Sequence, residues 1–299
     1  MMGRSSDPIS RIVMSWPNPA FVLTLSCADR PGIVAAIATR LAEHGCNITD
    51  SAQFGDAKTG RFFMRVSFSA PEGFSREDAW KTLTPVIEQF GMTAEVYAHA
   101  QKARVAILVS KFGHCLNDLL YRHQIGSLPI EIPAIVSNHR TFYQLAASHD
   151  IPFHHLPVTP ETKEKQERRL LEILEEEKIE LVVLARYMQV LSPELCRKLA
   201  GRAINIHHSF LPSFKGARPY HQAHERGVKL IGATAHYVTA TLDEGPIVEQ
   251  EVARVDHSMQ PEELVTIGRD IECVVLARAV KWHVEHRVLL NGSRTVVFR

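Results

Sequence analysis

Hydrophobic and polar residues recur with two different periods in the first hundred positions of the chain. A period of two, typical of half-buried strands, predicts strands at residues 21–27, 47–54, 61–70 and 92–98. Apolar residues three and four positions apart predict helices at 33–41 and 80–90. Asp29 is expected to cap the first of these helices, and Gly45 is expected to end it. The order βαββαβ predicts a ferredoxin-like domain over residues 19–100.

A different pattern follows a short polar link at residues 101–103. Amphipathic stretches that predict helices alternate with short apolar runs that predict strands at 104–110, 130–136, 153–156, 181–184 and 203–206. Residues 230–238 and 246–255 predict an added hairpin, and residues 260–284 predict a final long helix. Residues 101–299 are therefore expected to form a doubly wound, mostly parallel α/β domain.

The bulk composition is typical of a globular protein and disfavours two classes of partner. Of the 299 residues, 45% are hydrophobic and 22% are charged, and the formal net charge is +1. Binding to the backbone of a nucleic acid needs clustered positive charge, and the sequence has no long basic block. Nucleic acid is therefore not expected as a partner. No apolar run reaches the roughly 20 residues that a membrane span needs. Residues 1–18 are polar and lack the order of a signal peptide, so we expect a disordered tail.

The cysteines and histidines do not indicate a metal centre. The five cysteines are widely spaced and include no Cys-x-x-Cys pair, which argues against a disulfide framework and a zinc ribbon. The sixteen histidines are scattered along the chain. We therefore expect no metal, and a reducing, cytoplasmic compartment.

Three polar residues follow predicted strands at one edge of the second sheet. Asn205 and His207 close an apolar run two positions apart, so their side chains share one face. A second strand leads to a turn that carries Asp243. Ligands of doubly wound sheets bind beyond the carboxyl ends of the strands, where these residues fall. An amide, an imidazole and a carboxylate that converge there suit the chemistry of an acyl group.

Each of these residues has a chemical role and a structural alternative. Asn205 suits an oxyanion donor, His207 a group that polarises a carbonyl and moves a proton, and Asp243 a base that also orients His207. A desolvated carboxylate with a raised pKa would suit the role of base. The alternatives are a turn former, a satisfied sheet-edge histidine and a carboxylate that stabilises its own turn. His208, the next residue in the strand, is expected to face away from His207.

The second half of the chain resembles the formyltransferase family that uses 10-formyltetrahydrofolate. The resemblance lies in Asn205, His207, the loop at residues 209–216 and Asp243 in an Asp-x-Gly turn, and it implies that these three residues are catalytic. Residues 185–192 resemble the folate-contacting loop of that family, with glutamine at 189 where arginine is frequent. The implied folate contacts are Met188, Gln189, Leu191, Thr239 and Leu242.

The first half resembles the ACT domain, a small regulatory module that often binds amino acids. The matching segments are residues 29–33 and 45–48, and the resemblance implies an effector site at Asp29, Gly32 and Asn47. Turn formation at Gly32 and capping by Asp29 are the alternative explanations. An ACT domain followed by a formyltransferase-like domain is similar to the layout of the formyltetrahydrofolate deformylases. That layout implies a homo-oligomer, a dimer or a tetramer, that hydrolyses 10-formyltetrahydrofolate without a cofactor and supplies formate for purine biosynthesis.

Residues 110–116 bear on what accepts the formyl group. Ribonucleotide transferases of the resembled family carry a cradle of small residues after the first strand, since backbone N–H groups must approach the phosphate. Here that segment has one glycine and the bulky Phe112, which favours water over a ribonucleotide acceptor. Two other functions stay open. One is transfer of the formyl group to another amine, and the other is a non-catalytic sensor of folate and an amino acid.

Overall fold

The computed structural model describes residues 19–208 and 219–299. The chain divides into two compact units at the bond between Gln101 and Lys102. The predicted tail at residues 1–18 and the loop at 209–216 that carries part of the family resemblance lie outside the described residues.

The first unit has the predicted ferredoxin-like order of elements. They are β1 (Ala20–Ala28), α1 (Ile33–Glu43), β2 (Asn47–Asp56), β3 (Arg61–Ser69), α2 (Arg76–Phe90) and β4 (Thr93–Ala98). The strands form one sheet in the order β2-β3-β1-β4, and every neighbouring pair is antiparallel. Leu23 and Leu25 of β1 are buried against Ile37 and Leu41 of α1, which explains the two periods in the sequence.

The start of α1 differs from the expectation. Its N-cap is Gly32, with φ of 95°, and no side chain accepts a hydrogen bond from the first turn. The expectation that Asp29 caps the helix is therefore wrong. Glycine adopts this left-handed conformation without steric cost, and the chain uses it to enter the helix directly after Pro31.

The second unit contains nine strands and six helices within the described residues. The strands are β5 (Ala103–Val109), β6 (Ile130–Ser137), β7 (Phe153–His155), β8 (Leu181–Leu184), β9 (Ala203–His207), β10 (Leu230–Tyr237), β11 (Ile247–Arg254), β12 (Val288–Asn291) and β13 (Arg294–Val297). The helices are α3 (His114–Gln124), α4 (Tyr143–Ser148), α5 (Lys163–Glu176), α6 (Pro193–Lys198), α7 (Pro219–Glu225) and α8 (Pro261–Val284).

Seven of these strands form a doubly wound sheet in the order β11-β10-β9-β8-β5-β6-β7. The five strands from β9 to β7 are parallel, and the hairpin of β10 and β11 adds two antiparallel strands beside β9. Val105 and Ile107 of β5 pack in the cluster that includes α3 and α8. Ala106 and Leu108 pack in the cluster that includes α5 and α6. The fold prediction is confirmed, and both faces of the sheet are covered as in other doubly wound proteins.

Four elements were not assigned residue ranges from the sequence. The helices α6 and α7 are six and seven residues long, too short for a helical period to show. The strands β12 and β13 form a hairpin of their own across Gly292 and Ser293. A two-residue Gly-Ser loop between two strands is a recognised hairpin signal.

Candidate active site

The site lies at the carboxyl edge of the seven-stranded sheet, where the strand order reverses. The chain passes from β5 to β6 on one side and from β8 to β9 on the other, which leaves a crevice beyond β5 and β8. Ser110, directly after β5, donates a hydrogen bond from Oγ to Oδ1 of Asn138 at 2.7 Å. Oγ of Ser110 also accepts a hydrogen bond from the backbone N–H of Met188 at 2.9 Å. Buried Ser110 thereby joins the loops that follow three strands.

The three residues predicted to be catalytic converge at this edge. Nδ1 of His207 lies 3.3 Å from Oδ2 of Asp243. Nδ2 of Asn205 lies 3.3 Å from Nε2 of His236, and this ring nitrogen lies 3.6 Å from Oδ1 of Asp243. An amide, two imidazoles and a carboxylate therefore form one connected group of side chains.

His236 is the member of this group that the sequence reasoning missed. It stands opposite Asn205 in the antiparallel ladder of β9 and β10, and it is 2% exposed. Its Nδ1 lies 2.9 Å from the carbonyl oxygen of Tyr237, which can only accept, so Nδ1 carries the proton. Nε2 can donate to Asp243 only in the protonated ring, and in the neutral ring it accepts from the amide of Asn205. This hydrogen bond sets the amide plane, and the amide has a second N–H to offer to a ligand.

The turn after β10 holds Asp243 by its backbone. Asp243 has a left-handed conformation with φ of 58°, which aspartate tolerates better than most residues. Two residues further on, a methyl group at Gly245 would lie 1.7 Å from the carbonyl oxygen of Tyr237. The N–H of Tyr237 donates to the carbonyl of Pro246 at 2.9 Å. The turn is thus pressed against the end of β10, and this contact fixes the position of the carboxylate.

The electrostatics of Asp243 do not favour the role of base. Hydrogen bonds from His207 and His236 hold the pKa of Asp243 well below its usual range, although burial acts in the other direction. The pKa falls because the interactions with the two imidazoles outweigh the desolvation of a half-buried carboxylate. An anionic Asp243 is a weak base, but it is well suited to orient an imidazole and to stabilise its protonated form.

His208 also differs from the expectation. The rings of His207 and His208 are stacked, with centroids 4.9 Å apart and an angle of 30° between their planes. The strand ends at His207 and the chain bends at His208, so the alternation of faces no longer applies. The expectation that His208 faces away from His207 is therefore wrong.

The residues expected to contact folate lie on two loops at the same edge. Met188 and Leu242 are exposed, at 55% and 63%, whereas Leu191 is buried. Thr239 and Gln189 are intermediate in exposure. Residues of both loops belong to one hydrophobic cluster, through Leu191 and Val238. The backbone N–H of Met188 is already bound to Ser110 and does not face a ligand.

A second polar group lies near the site, around the buried carboxylate of Glu272 in α8. One of its oxygens lies 2.7 Å from Nε2 of His114 and 3.4 Å from Nε of Arg186, and the other accepts from the hydroxyl of Tyr220 at 2.9 Å. Burial would raise the pKa of Glu272, but the hydrogen bond from His114 and the charge of Arg186 lower it. Glu272 is thus a buried carboxylate anion that is surrounded by donors.

Comparison with known proteins gives the family. The model of the formyl transferase family matches residues 103–280, and the ACT domain model matches residues 21–73. A formyltetrahydrofolate deformylase of Corynebacterium sp. (strain P-1) is 50% identical over 279 residues, which are 93% of this chain and 98% of that protein. The chain belongs to the formyltetrahydrofolate deformylase family.

Solved structures agree with this assignment. The formyltetrahydrofolate deformylase from Burkholderia mallei ATCC 23344 is 55% identical, with a TM-score of 0.89 over 94% of this chain and all of that one. A glycinamide ribonucleotide transformylase from Symbiobacterium toebii is 28% identical, with a TM-score of 0.62 over 68% of this chain and 97% of that one. The likeness to the deformylase thus extends over nearly the whole chain, and the likeness to the transformylase does not.

One cluster in the described part of this family member has the composition of a metal site. Donor atoms of His114, Cys115 and Glu272 lie within 4.8 Å of one another. Hydrogen bonding to Cys273 and burial raise the pKa of the Cys115 thiol, and metal binding requires the thiolate. Glu272 is already paired with His114, and Arg186 adds a positive charge. These donors are better explained as an ion-pair network, so a metal is not proposed here.

The three residues expected to bind an effector in the ACT unit do not converge within one chain. Ala28 pairs with Arg61, and Ala20 pairs with Ser69, the partner of Asn47. Asp29 and Gly32 therefore lie at one end of the sheet and Asn47 at the other, about 27 Å apart by the rise of a nine-residue strand. All three are exposed.

None of the helices in the two described segments is long and apolar enough to cross a membrane.

Proposed function

We propose that this chain hydrolyses 10-formyltetrahydrofolate to tetrahydrofolate and formate, the activity that gives its family its name. The observation that carries the proposal is the group formed by Asn205, His207 and Asp243 at the switch point of the sheet. Beside it, the exposed apolar side chains of Met188 and Leu242 suit the flat ring system of a folate.

The proposed reaction assigns proton transfer to His207. With Nδ1 directed at the Asp243 carboxylate, neutral His207 keeps its lone pair on Nε2. Nε2 accepts a proton from water as the water oxygen bonds to the formyl carbon, and a second N–H of Asn205 donates to the oxyanion that forms. The imidazolium then returns the proton to N10 as the carbon–nitrogen bond breaks. Formic acid leaves and loses its proton to solvent.

Asp243 is assigned the role of ion partner rather than of base. Its lowered pKa keeps it anionic while His207 carries the transferred proton. The interaction of an anion with the imidazolium stabilises the charge that develops during water attack. A folate bound at the proposed site has its formyl group within reach of His207. The residues proposed to form that site are Met188, Gln189, Leu191, Thr239 and Leu242.

The test is formate release from 10-formyltetrahydrofolate by purified protein with no amine present. We expect turnover by the wild type and a loss of about 10²- to 10⁴-fold in Asp243→Asn, in line with the removal of an orienting carboxylate from an imidazole. The matched control is Glu244→Gln, which removes one exposed carboxylate from the same turn and should retain activity. Formate release only on addition of an amine would instead identify a transferase.

We also propose that the chain forms a homo-oligomer with an amino-acid effector bound between ACT units. The support is that Asp29 and Gly32 of one copy need Asn47 of another to build one site. The edge strand β2 is largely exposed, with Phe54 at 46%. Sedimentation equilibrium and calorimetry with single amino acids test this proposal. A monomer, or effector affinity unchanged in Asn47→Ala, would contradict it.

We further propose that the enzyme is cytoplasmic, needs no metal or cofactor, and releases formate for purine biosynthesis. All five cysteines are free thiols, as is common in a reducing compartment. The proposed steps use only side chains and water. Activity that survives dialysis against a chelator, and a purine requirement in cells that lack the gene, are the expected results.

A further inference from the structure

The two consecutive histidines at the end of β9 form an unusual pair. The rings of His207 and His208 are stacked, with centroids 4.9 Å apart and 30° between their planes. His207 is held at its Nδ1 by Asp243, at 3.3 Å. A single hydrogen bond at one ring nitrogen leaves an imidazole free to rotate about that contact, whereas a ring stacked on its face restricts this rotation. His208 supplies that second restraint.

His208 is suited to this position because it stays uncharged. Burial, and then the nearby charges of Arg186 and His207, lower the pKa of His208 to about 4. Glu272 and Asp243 oppose the shift but do not reverse it. Two adjacent histidines that both titrated near neutrality would repel each other when protonated. A neutral His208 lets His207 gain a proton without this repulsion.

The ring neighbour of His208 belongs to a buried network on three helices, α3, α7 and α8. Its ring centroid lies 6.4 Å from that of Tyr220 in α7. The hydroxyl of Tyr220 donates to Glu272 at 2.9 Å, and Glu272 is fixed by His114 and Arg186. Gly268 leaves room for the Tyr220 ring, since a methyl group there would lie 2.1 Å from it. The aromatic neighbour of His208 is therefore immobilised independently of β9.

We propose that His208 is a positioning residue that holds the imidazole of His207 in the orientation required for proton transfer. The inference rests on the proposed function, because it presupposes that Nε2 of His207 exchanges a proton with water and N10. In this proposal the flat, neutral ring of His208 supplies the restraint by stacking, and hydrogen bonds of its ring nitrogens are not required. The restraint affects the chemical step more than the binding of folate.

Two substitutions separate the ring from its nitrogens. His208→Ala removes the stacking surface, and we expect kcat to fall about 10- to 100-fold with KM within about threefold, the size of effect expected for an ångström-scale misplacement. His208→Phe keeps a flat uncharged ring and should stay within about fivefold of the wild-type kcat. A His208→Phe variant as impaired as His208→Ala would overturn the proposal, as would a His208→Ala variant with unchanged kcat.

A second readout does not depend on activity. In protein labelled with ¹⁵N in its histidine rings, the signal of His207 is assigned by its loss in His207→Gln. We expect one tautomer, with the proton on Nδ1, in the wild type and in His208→Phe, and a mixture in His208→Ala. An unchanged tautomer in His208→Ala would overturn the positioning role. If the wild type released no formate, the proposed function would fail, and the tautomer measurement would still decide whether His208 positions His207.

Discussion

Replacement of Gly245 by alanine should inactivate the enzyme without a direct change to any polar group. The added methyl group would lie 1.7 Å from the carbonyl oxygen of Tyr237, 2.8 Å from its carbonyl carbon and 3.3 Å from Nδ1 of His236. Real Cβ contacts are essentially never below 3.0 Å, so the turn must retreat by at least 1.3 Å from the end of β10 (3.0 minus 1.7). Asp243 lies only two residues away and moves with it.

Two costs follow from this displacement. The hydrogen bond from the N–H of Tyr237 to Pro246 is lost or stretched, at about 1 kcal/mol, and overpacking costs about 1–3 kcal/mol. The contact between Asp243 and His207, at 3.3 Å, lengthens by an amount comparable to the shift. A misplacement of this size lowers kcat by about 100-fold. The loss of activity should therefore be larger than the loss of stability alone explains.

The assay is formate release at a temperature at which circular dichroism shows the variant to be folded. The control is Gly73→Ala, in the first unit, where φ is 79° and no atom lies within 4 Å of the added methyl group. Alanine at this positive φ lowers the free energy of unfolding by about 1 kcal/mol, and the variant should retain the wild-type kcat. Gly245→Ala with kcat within threefold of the wild type would refute the argument that this turn positions the carboxylate.

Two further predictions concern stability. Because the pKa of Asp243 is lowered in the folded state, its contribution to stability is present above the unfolded pKa near 4 and is lost as the pH falls through the folded value. Chemical denaturation of Asp243→Asn should thus show a weaker decline below pH 4 than the wild type, and parallel curves would contradict the assignment. Glu272→Ala should lower the free energy of unfolding by about 3–5 kcal/mol, because His114 and Arg186 lose their buried partner, and Glu262→Ala at the exposed start of α8 is the control. Equal stability of the two variants would show that the network around Glu272 contributes nothing.

The sequence was most informative where one period persists over a whole element. The apolar run at 181–184 is the central strand β8, because a strand buried on both faces consists of consecutive apolar residues. Residues 33–41 are most of α1, because a helix buried along one stripe has apolar residues three and four positions apart. The position of Asn205 and His207 followed from the rule that ligands of doubly wound sheets bind beyond the carboxyl ends of the parallel strands. These predictions required only local pattern and topology.

The errors arose where the answer depends on register or on neighbours distant in the chain. His236 belongs to the site because it stands opposite Asn205, a pairing that no single strand reveals. The prediction for His208 assumed that side chains alternate between the two faces of a strand. The strand ends one residue earlier, at His207, so the predicted face of His208 was wrong. The pKa of Asp243 depends on two imidazole donors, one of which was not expected. Register and electrostatics are properties of the assembled sheet.

Water is the proposed acceptor of the formyl group, and one measurement tests this most directly. The measurement is the mass of the formate released from unlabelled 10-formyltetrahydrofolate in ¹⁸O-enriched water by the wild-type protein, with Asp243→Asn as the control. We predict formate that carries one ¹⁸O atom per turnover, since the formyl oxygen is retained and the second oxygen comes from the solvent. Folate binding without labelled formate, or formyl transfer that requires an added amine, would contradict the account.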